Sequence, residues 1–238
     1  MLIQSNHLKE SLEVASKHHI FDGLNQIYHS IPESICSGCT NCCMESVHAS
    51  YVEFLNIYQY LEEHPLLKTT ILPKLTQYYF LELIQKNACP FLNEKGRCMI
   101  YEVRPLTCRL FGHWRKKDFN ENISAIQNEN EATGLYFKEK FQLPIPKEVI
   151  NYSIKYCDDF KTDKKITKKE RLQMSDDLFE LEIQFLMNGL LKEDLIGTNL
   201  ITWFIYTIYN QDEASDLRLK IIKEYLAQGK SATLSKIS

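Results

Sequence analysis

The residues of this chain most able to do chemistry are its eight cysteines, and seven of them fall between Cys36 and Cys108. The first four stand as Cys36-Ser37-Gly38-Cys39-Thr40-Asn41-Cys42-Cys43. Two intervening residues let a loop turn back so that successive sulfurs enter one small volume, the spacing used by zinc knuckles and by ferredoxin-type iron–sulfur loops. Ser37, Gly38, Thr40 and Asn41 are the small, turn-tolerant residues that such a loop requires. Thiolates gathered this closely repel one another unless a cation neutralises them, so the cluster calls for a metal.

Neighbouring side chains diverge, so Cys42 and Cys43 do not easily serve one tetrahedral ion together; the pair points to two centres or to a polynuclear one. Cys89, Cys98, Cys108 and Cys157 supply four further thiols. Two four-thiolate sites, one cluster with spare redox thiols, and a bridged multinuclear site all fit this count. A fourth cysteine followed by proline, as in Cys89-Pro90, is a ferredoxin habit, and zinc is equally compatible with the donors. His48 and His113 lie nearest in sequence and could complete a site of three thiolates and one imidazole. Four thiolates on a divalent ion carry about two net negative charges. Arg104 and Arg109 are placed to offset them and to donate hydrogen bonds to sulfur around the centre.

The full pattern is Cys-x2-Cys-x2-Cys-Cys, then Cys89-Pro90-Phe91-Leu92, Gly96, Cys98, Ile100-Tyr101-Glu102, Arg104-Pro105 and Cys108-Arg109. It resembles the bacterial YkgJ family, a zinc- or iron-chelating cysteine-cluster domain. The resemblance covers about Ile35 to Phe111, with Cys157 matching the late cysteine of the family. It implies a metal or iron–sulfur site, and it implies no particular reaction. A related group with a similar cluster methylates flagellin lysines, so methyl transfer enters by analogy alone.

Several elements must position these thiols. Leu24, Ile27, Tyr28 and Ile31 trace a helix closed by Pro32. Ser50-Tyr51-Val52-Glu53 has the form of a capping box, followed by a helical apolar pattern from Tyr51 to Leu61 that ends at His64-Pro65. A second helix is predicted from Thr70, with Pro73 in its first turn, ending near Asn87. Asn93-Glu94-Lys95-Gly96 turns a short hairpin that brings Cys89 and Cys98 together. The asparagine-rich stretch Lys116–Glu131 reads as an irregular surface loop. From Lys161 to Arg171 six of eleven residues are basic, a solvated linker and helix start. Three helices follow: one capped by Ser175, one holding the apolar run Leu195–Tyr209, and one through Ala214, Leu217, Ile221 and Tyr225 that stops at Gly229. Lys230 to Ser238 reads as a frayed end.

The expected fold is therefore mainly α (α+β). A cysteine-cluster metal-binding domain with an N-terminal helix and a short β-hairpin spans 1–160, and a C-terminal helical segment spans 161–238. The 238 residues are 44% hydrophobic and 25% charged, enough to build a core without disulfide staples. Net charge is 28 − 31 = −3, which argues against a dedicated nucleic-acid binder or a polybasic membrane-surface protein. The fifteen-residue run Leu195–Tyr209 is too short and polar to span a bilayer. Met1 to Ile20 shows no apolar signal segment, so a reducing cytoplasm is the expected location. No GxSxG, GxGxxG or phosphate-loop pattern occurs. The expected cofactor is an iron–sulfur cluster, [4Fe–4S] included, or zinc or iron ions. It would serve electron transfer or assist a modifying enzyme. The alternatives are a structural zinc module whose C-terminal helices dock a protein partner, and a cluster-dependent enzyme of the methyltransferase kind.

Overall fold

The computed structural model describes residues 2–237. Its order is α1 (Ser5–Lys17), α2 (Ile20–His29), β1 (Ser34–Ile35), α3 (Tyr51–Glu63), α4 (Pro65–Leu81), α5 (Leu106–Leu110), α6 (Lys116–Phe141), α7 (Lys147–Ile150), β2 (Lys161–Thr162), α8 (Lys168–Met187), α9 (Leu200–Ile205), α10 (Gln211–Gln228) and α11 (Leu234–Ile237). The fold is mainly α, and the sheet is one antiparallel pair with Ser34 opposite Thr162 and Ile35 opposite Lys161. Among the described residues no helix is long and apolar enough to cross a membrane.

Helix α3 runs through the centre of the packing. Ser50 caps it: its side chain accepts from the Glu53 amide at 3.1 Å, and Glu53 accepts in return from the Ser50 amide at 2.9 Å. This is the capping box expected from sequence. Tyr51, Phe54 and Leu55 are fully buried. Phe54 stacks on Trp203 of α9 with centroids 5.6 Å apart, and the edge of Phe185 from α8 meets Tyr51 at 5.3 Å. The buried indole of Trp203 donates to the Ala49 carbonyl at 2.9 Å, so its polar end is satisfied inside the core. The helices beyond Lys161 thus enclose α3 together with α1, α2 and α4 in one hydrophobic cluster.

Several local expectations are corrected. The stretch read as a loop from Lys116 is the 26-residue helix α6. Asparagine costs a helix only about half a kcal/mol relative to alanine. The apolar spacing of Phe119, Ile123, Ile126, Phe137 and Phe141 outweighs that cost, and Gly134 lets Ile150 pack against the backbone, where a Cβ would lie 2.4 Å from its methyl. Helix α4 starts five residues early at Pro65, whose fixed φ suits a first turn, tolerates Pro73 in its interior and ends at Leu81. Helix α8 is capped by Thr167, reciprocally with Glu170, and Ser175 sits within it, donating to the Arg171 carbonyl at 3.1 Å. The apolar run yields only the short α9, because Gly197 at positive φ and the turn at 193–195 occupy its first half. The segment read as frayed forms α11, held by Glu224, which accepts from Ser231 and Thr233 at 2.7 Å each.

Buried Glu182 of α8 accepts from the Tyr51 amide, and burial pushes its carboxyl up to about 7. The native state therefore binds more protons than the unfolded chain between about 4.5 and 7, and stability falls as pH rises through that window. Glu182→Gln keeps the acceptor and removes the titration. Denaturant unfolding across pH 4.5–8 should show this slope, on the order of 2–3 kcal/mol, flattened in the variant.

Candidate metal centre

The loop carrying the first four cysteines has little regular structure of its own. Gly38 and Thr40 take positive φ, +72° and +60°, which folds the loop back, and 41–44 form a single 3-10 turn. The Gly38 amide points at the Cys36 sulfur at 3.4 Å. Three clamps fix the loop from outside. The β1–β2 pair holds its entry against residues 161–162. At its exit the Ala49 amide donates to Thr198 and the Leu200 amide to Val47, at 3.2 and 2.9 Å. Its middle is tied to the next thiol, since the Cys89 amide donates to the Cys43 carbonyl at 2.6 Å, and Lys86 pairs with Glu45 at 3.0 Å beside it.

Cys89 and Cys98 stand on the expected tight turn. The Leu92 and Cys98 backbones form an isolated bridge, and the Asn93 side-chain oxygen accepts from the Lys95 and Arg97 amides. Gly96 supplies the positive φ that closes it. Cys108 rides on α5, whose position is set from the core. Buried Glu53 accepts from the Leu106 amide at the start of α5 and from the Tyr28 hydroxyl at 3.0 Å. Glu53 was missed in the sequence reading except as a cap partner; its second use depends on a contact 53 residues away.

All eight cysteines are free thiols, and their electrostatics divide them into two groups that meet at Cys42. The neighbouring Cys43 thiol, together with burial, pushes the Cys42 thiol far up. Burial raises Cys89 to about 12, and the charges of Cys98 and Cys42 add to it. Burial also raises Cys98, and it raises Cys108 further, with Cys89, Cys42 and Cys98 contributing. Some of the Cys108 residue surface still meets solvent, while the surrounding protein encloses its thiol. The outer group is Cys36, Cys39 and Cys157: burial raises Cys157, followed by the charges of Cys39, Cys36 and Cys42. Cys36 and Cys39 are exposed.

The thiols are gathered without being closed: among the described residues no three His, Cys, Asp or Glu side chains form a ready metal-holding group. The donor set nonetheless fits a cation. Burial and mutual repulsion favour the protonated forms of Cys89, Cys98 and Cys108, and a bound metal is the counter-charge that would let them ionise together. Arg104 is the cation nearest this balance, lowering both Cys42 and Cys98. Arg109 stacks on the Tyr28 ring at 3.8 Å and donates to the backbone carbonyls of Arg104 and Glu102. The histidines lie apart from the thiol couplings. His48 bonds the Gly197 carbonyl, and fully buried His113 packs on Phe160, burial lowering its pKa.

Residues 35–130 match the family model CxxCxxCC, described as a "putative zinc- or iron-chelating domain". That span holds seven of the eight thiols and leaves Cys157 outside. No curated protein and no solved structure matches the chain. The cysteine-rich segment is thus similar to domains described as chelating zinc or iron, and that match supports metal binding by its thiols.

Glu53→Ala would leave the Leu106 amide unpaired, costing about 1–3 kcal/mol and loosening α5 with Cys108. Chemical denaturation together with metal per chain should show both losses. Ser50→Ala, which removes only the side-chain acceptor of the cap, should cost about 1 kcal/mol and keep the metal.

Proposed function

We propose that the thiols hold a centre of more than one metal atom that takes part in chemistry, as an iron–sulfur centre in electron transfer or in support of a modifying enzyme. The observation that carries this reading is Cys42, which couples to Cys43, Cys89, Cys98 and Cys108 on one side and to Cys157 on the other. A single tetrahedral ion uses four ligands, and the chain's eight thiols exceed that need. Cys36 and Cys39 face solvent, an openness that structural zinc sites usually lack. Inner ligands would be Cys43, Cys89, Cys98 and Cys108, with Cys36, Cys39 and Cys157 outside and Cys42 between them. When bound, such a centre supplies one-electron redox chemistry or a Lewis acid. The chain's own part is to gather the thiols, offset their charge with Arg104, and shield the inner group behind Phe91 and Leu106, both buried.

A second reading is a structural zinc module, favoured by the depth of the inner thiols, with the C-terminal helices as a surface for a protein partner. Purification without oxygen, followed by iron, zinc and acid-labile sulfide analysis, separates the two. Iron with about four sulfides per chain and a visible charge-transfer band supports the first; zinc at about one or two per chain with no visible absorption supports the second. Absence of both metals overturns each. Removing the metal with a chelator should also free the outer thiols first: Cys36 and Cys39 alkylate rapidly at pH 8, whereas Cys89 and Cys108 require denaturant, as peptide mass mapping would show.

A further inference from the structure

A cavity of about 520 Å³ opens between the end of α2, the β1–β2 pair and the turn at Tyr101. Its polar side is cationic. The Arg104 guanidinium lies over Tyr101 at 3.7 Å, that of Arg109 lies over Tyr28 at 3.8 Å, and Lys161 of β2 adds a third cation. Stacking on a ring fixes the plane of a guanidinium and leaves its N–H edges free to point along that plane. Arg109 uses part of its edge on two backbone carbonyls. The Arg104 side chain makes no hydrogen bond or ion pair among the described residues, and its buried Nε has no partner. Among the described residues neither arginine forms an ion pair with a carboxylate.

Partly buried cations without a directly paired carboxylate are costly, and a guanidinium fork matches the paired oxygens of a carboxylate or phosphate. The remaining wall, from Ile31, Pro32 and Ile35, is apolar. The volume falls in the range of small-molecule sites. We propose that this cavity binds a small oxyanionic metabolite, its carboxylate or phosphate held by Arg104, Arg109 and Lys161 and its apolar body against Ile31, Pro32 and Ile35. Glu33 and Asp163 also line the cavity, and neither forms an ion pair among the described residues. They exclude a polyanion and favour a ligand with one charged end. Arg104 lies four residues before Cys108 and six after Cys98, so the cavity borders the thiol-bearing segment. The inference deepens the metal-centre reading by giving that centre a neighbouring ligand, yet anion binding itself requires no metal.

The test is calorimetric titration of the full chain, purified without oxygen, with phenyl phosphate and with phenylacetate, and with benzyl alcohol as the uncharged control. At least one anion should saturate with Kd below about 1 mM, about tenfold weaker in Arg104→Gln and in Lys161→Gln, with no binding of benzyl alcohol. Which anion binds distinguishes a phosphate from a carboxylate ligand. Absence of saturation by either anion up to about 10 mM would overturn the proposal, as would undiminished, wild-type affinity in both variants or benzyl alcohol binding as tightly as the anions. Metal per chain is measured on every sample. Lys161 is exposed and outside the thiol couplings, so Lys161→Gln that keeps its metal and loses the anion supports the cavity assignment on its own. Anion binding by wild-type protein that carries no metal would sink the metal-centre reading and leave the cavity standing.

Discussion

A thiol ligates a metal as a thiolate, and several thiolates cannot be crowded together away from water without a cation to balance them. This constraint organises the molecule around Cys42. The chain holds its inner thiols where burial and their mutual charge keep them protonated, so the metal-free state is neutral and poised. Metal binding at these thiols would then be an exchange of protons for a cation. The backbone reflects that division of labour. The ladder at 34–35, the Cys89–Cys43 link and the pairing of 47–49 with 198–200 fix where the loop enters, crosses and leaves, while the span between them keeps the freedom of two positive-φ residues.

Glu53 connects that site to the core. A carboxylate with no exposed surface is tolerated only when its oxygens are satisfied, and here the Ser50 amide, the Tyr28 hydroxyl and the Leu106 amide satisfy them. One side chain thus caps α3, anchors α2 through Tyr28 and sets the start of α5 beside Cys108. Tyr28 in turn carries Arg109 on its ring. Core packing around Phe54 and Trp203 fixes α3, and α3 fixes the placement of the inner thiols through Glu53.

What the sequence disclosed follows the range of the interactions. The cysteine spacing was legible because its ligands are neighbours, and so was the Ser50–Glu53 box, whose hydrogen bonds span three residues. Thr167-x-x-Glu170 carried the same signal for α8 and was hidden within a lysine run that read as linker. The asparagines of α6 masked a periodic apolar stripe. The β1–β2 pair was illegible for a different reason: two largely exposed residues on each side carry no alternation, and their pairing is imposed by the packing of α2 against α8. The arginines were visible as charges near sulfur, but their ring partners Tyr28 and Tyr101, and the cavity they border, exist only in three dimensions.

Arg104 is where these constraints meet. A guanidinium whose only partner is a ring face contributes little to stability at a partly exposed site, about 0.5–1 kcal/mol, while its unpartnered Nε costs a comparable amount. A residue of that balance is not explained by folding. Its charge lowers the inner thiols Cys42 and Cys98 on one side and faces the cavity on the other, so filling the cavity with an anion would weaken the help it gives to thiolate formation, and ionising the thiols would weaken its hold on an anion. With an anion in the cavity and a metal on the thiols, as proposed, the two sites would oppose each other through this one cation, and by linkage equally in both directions.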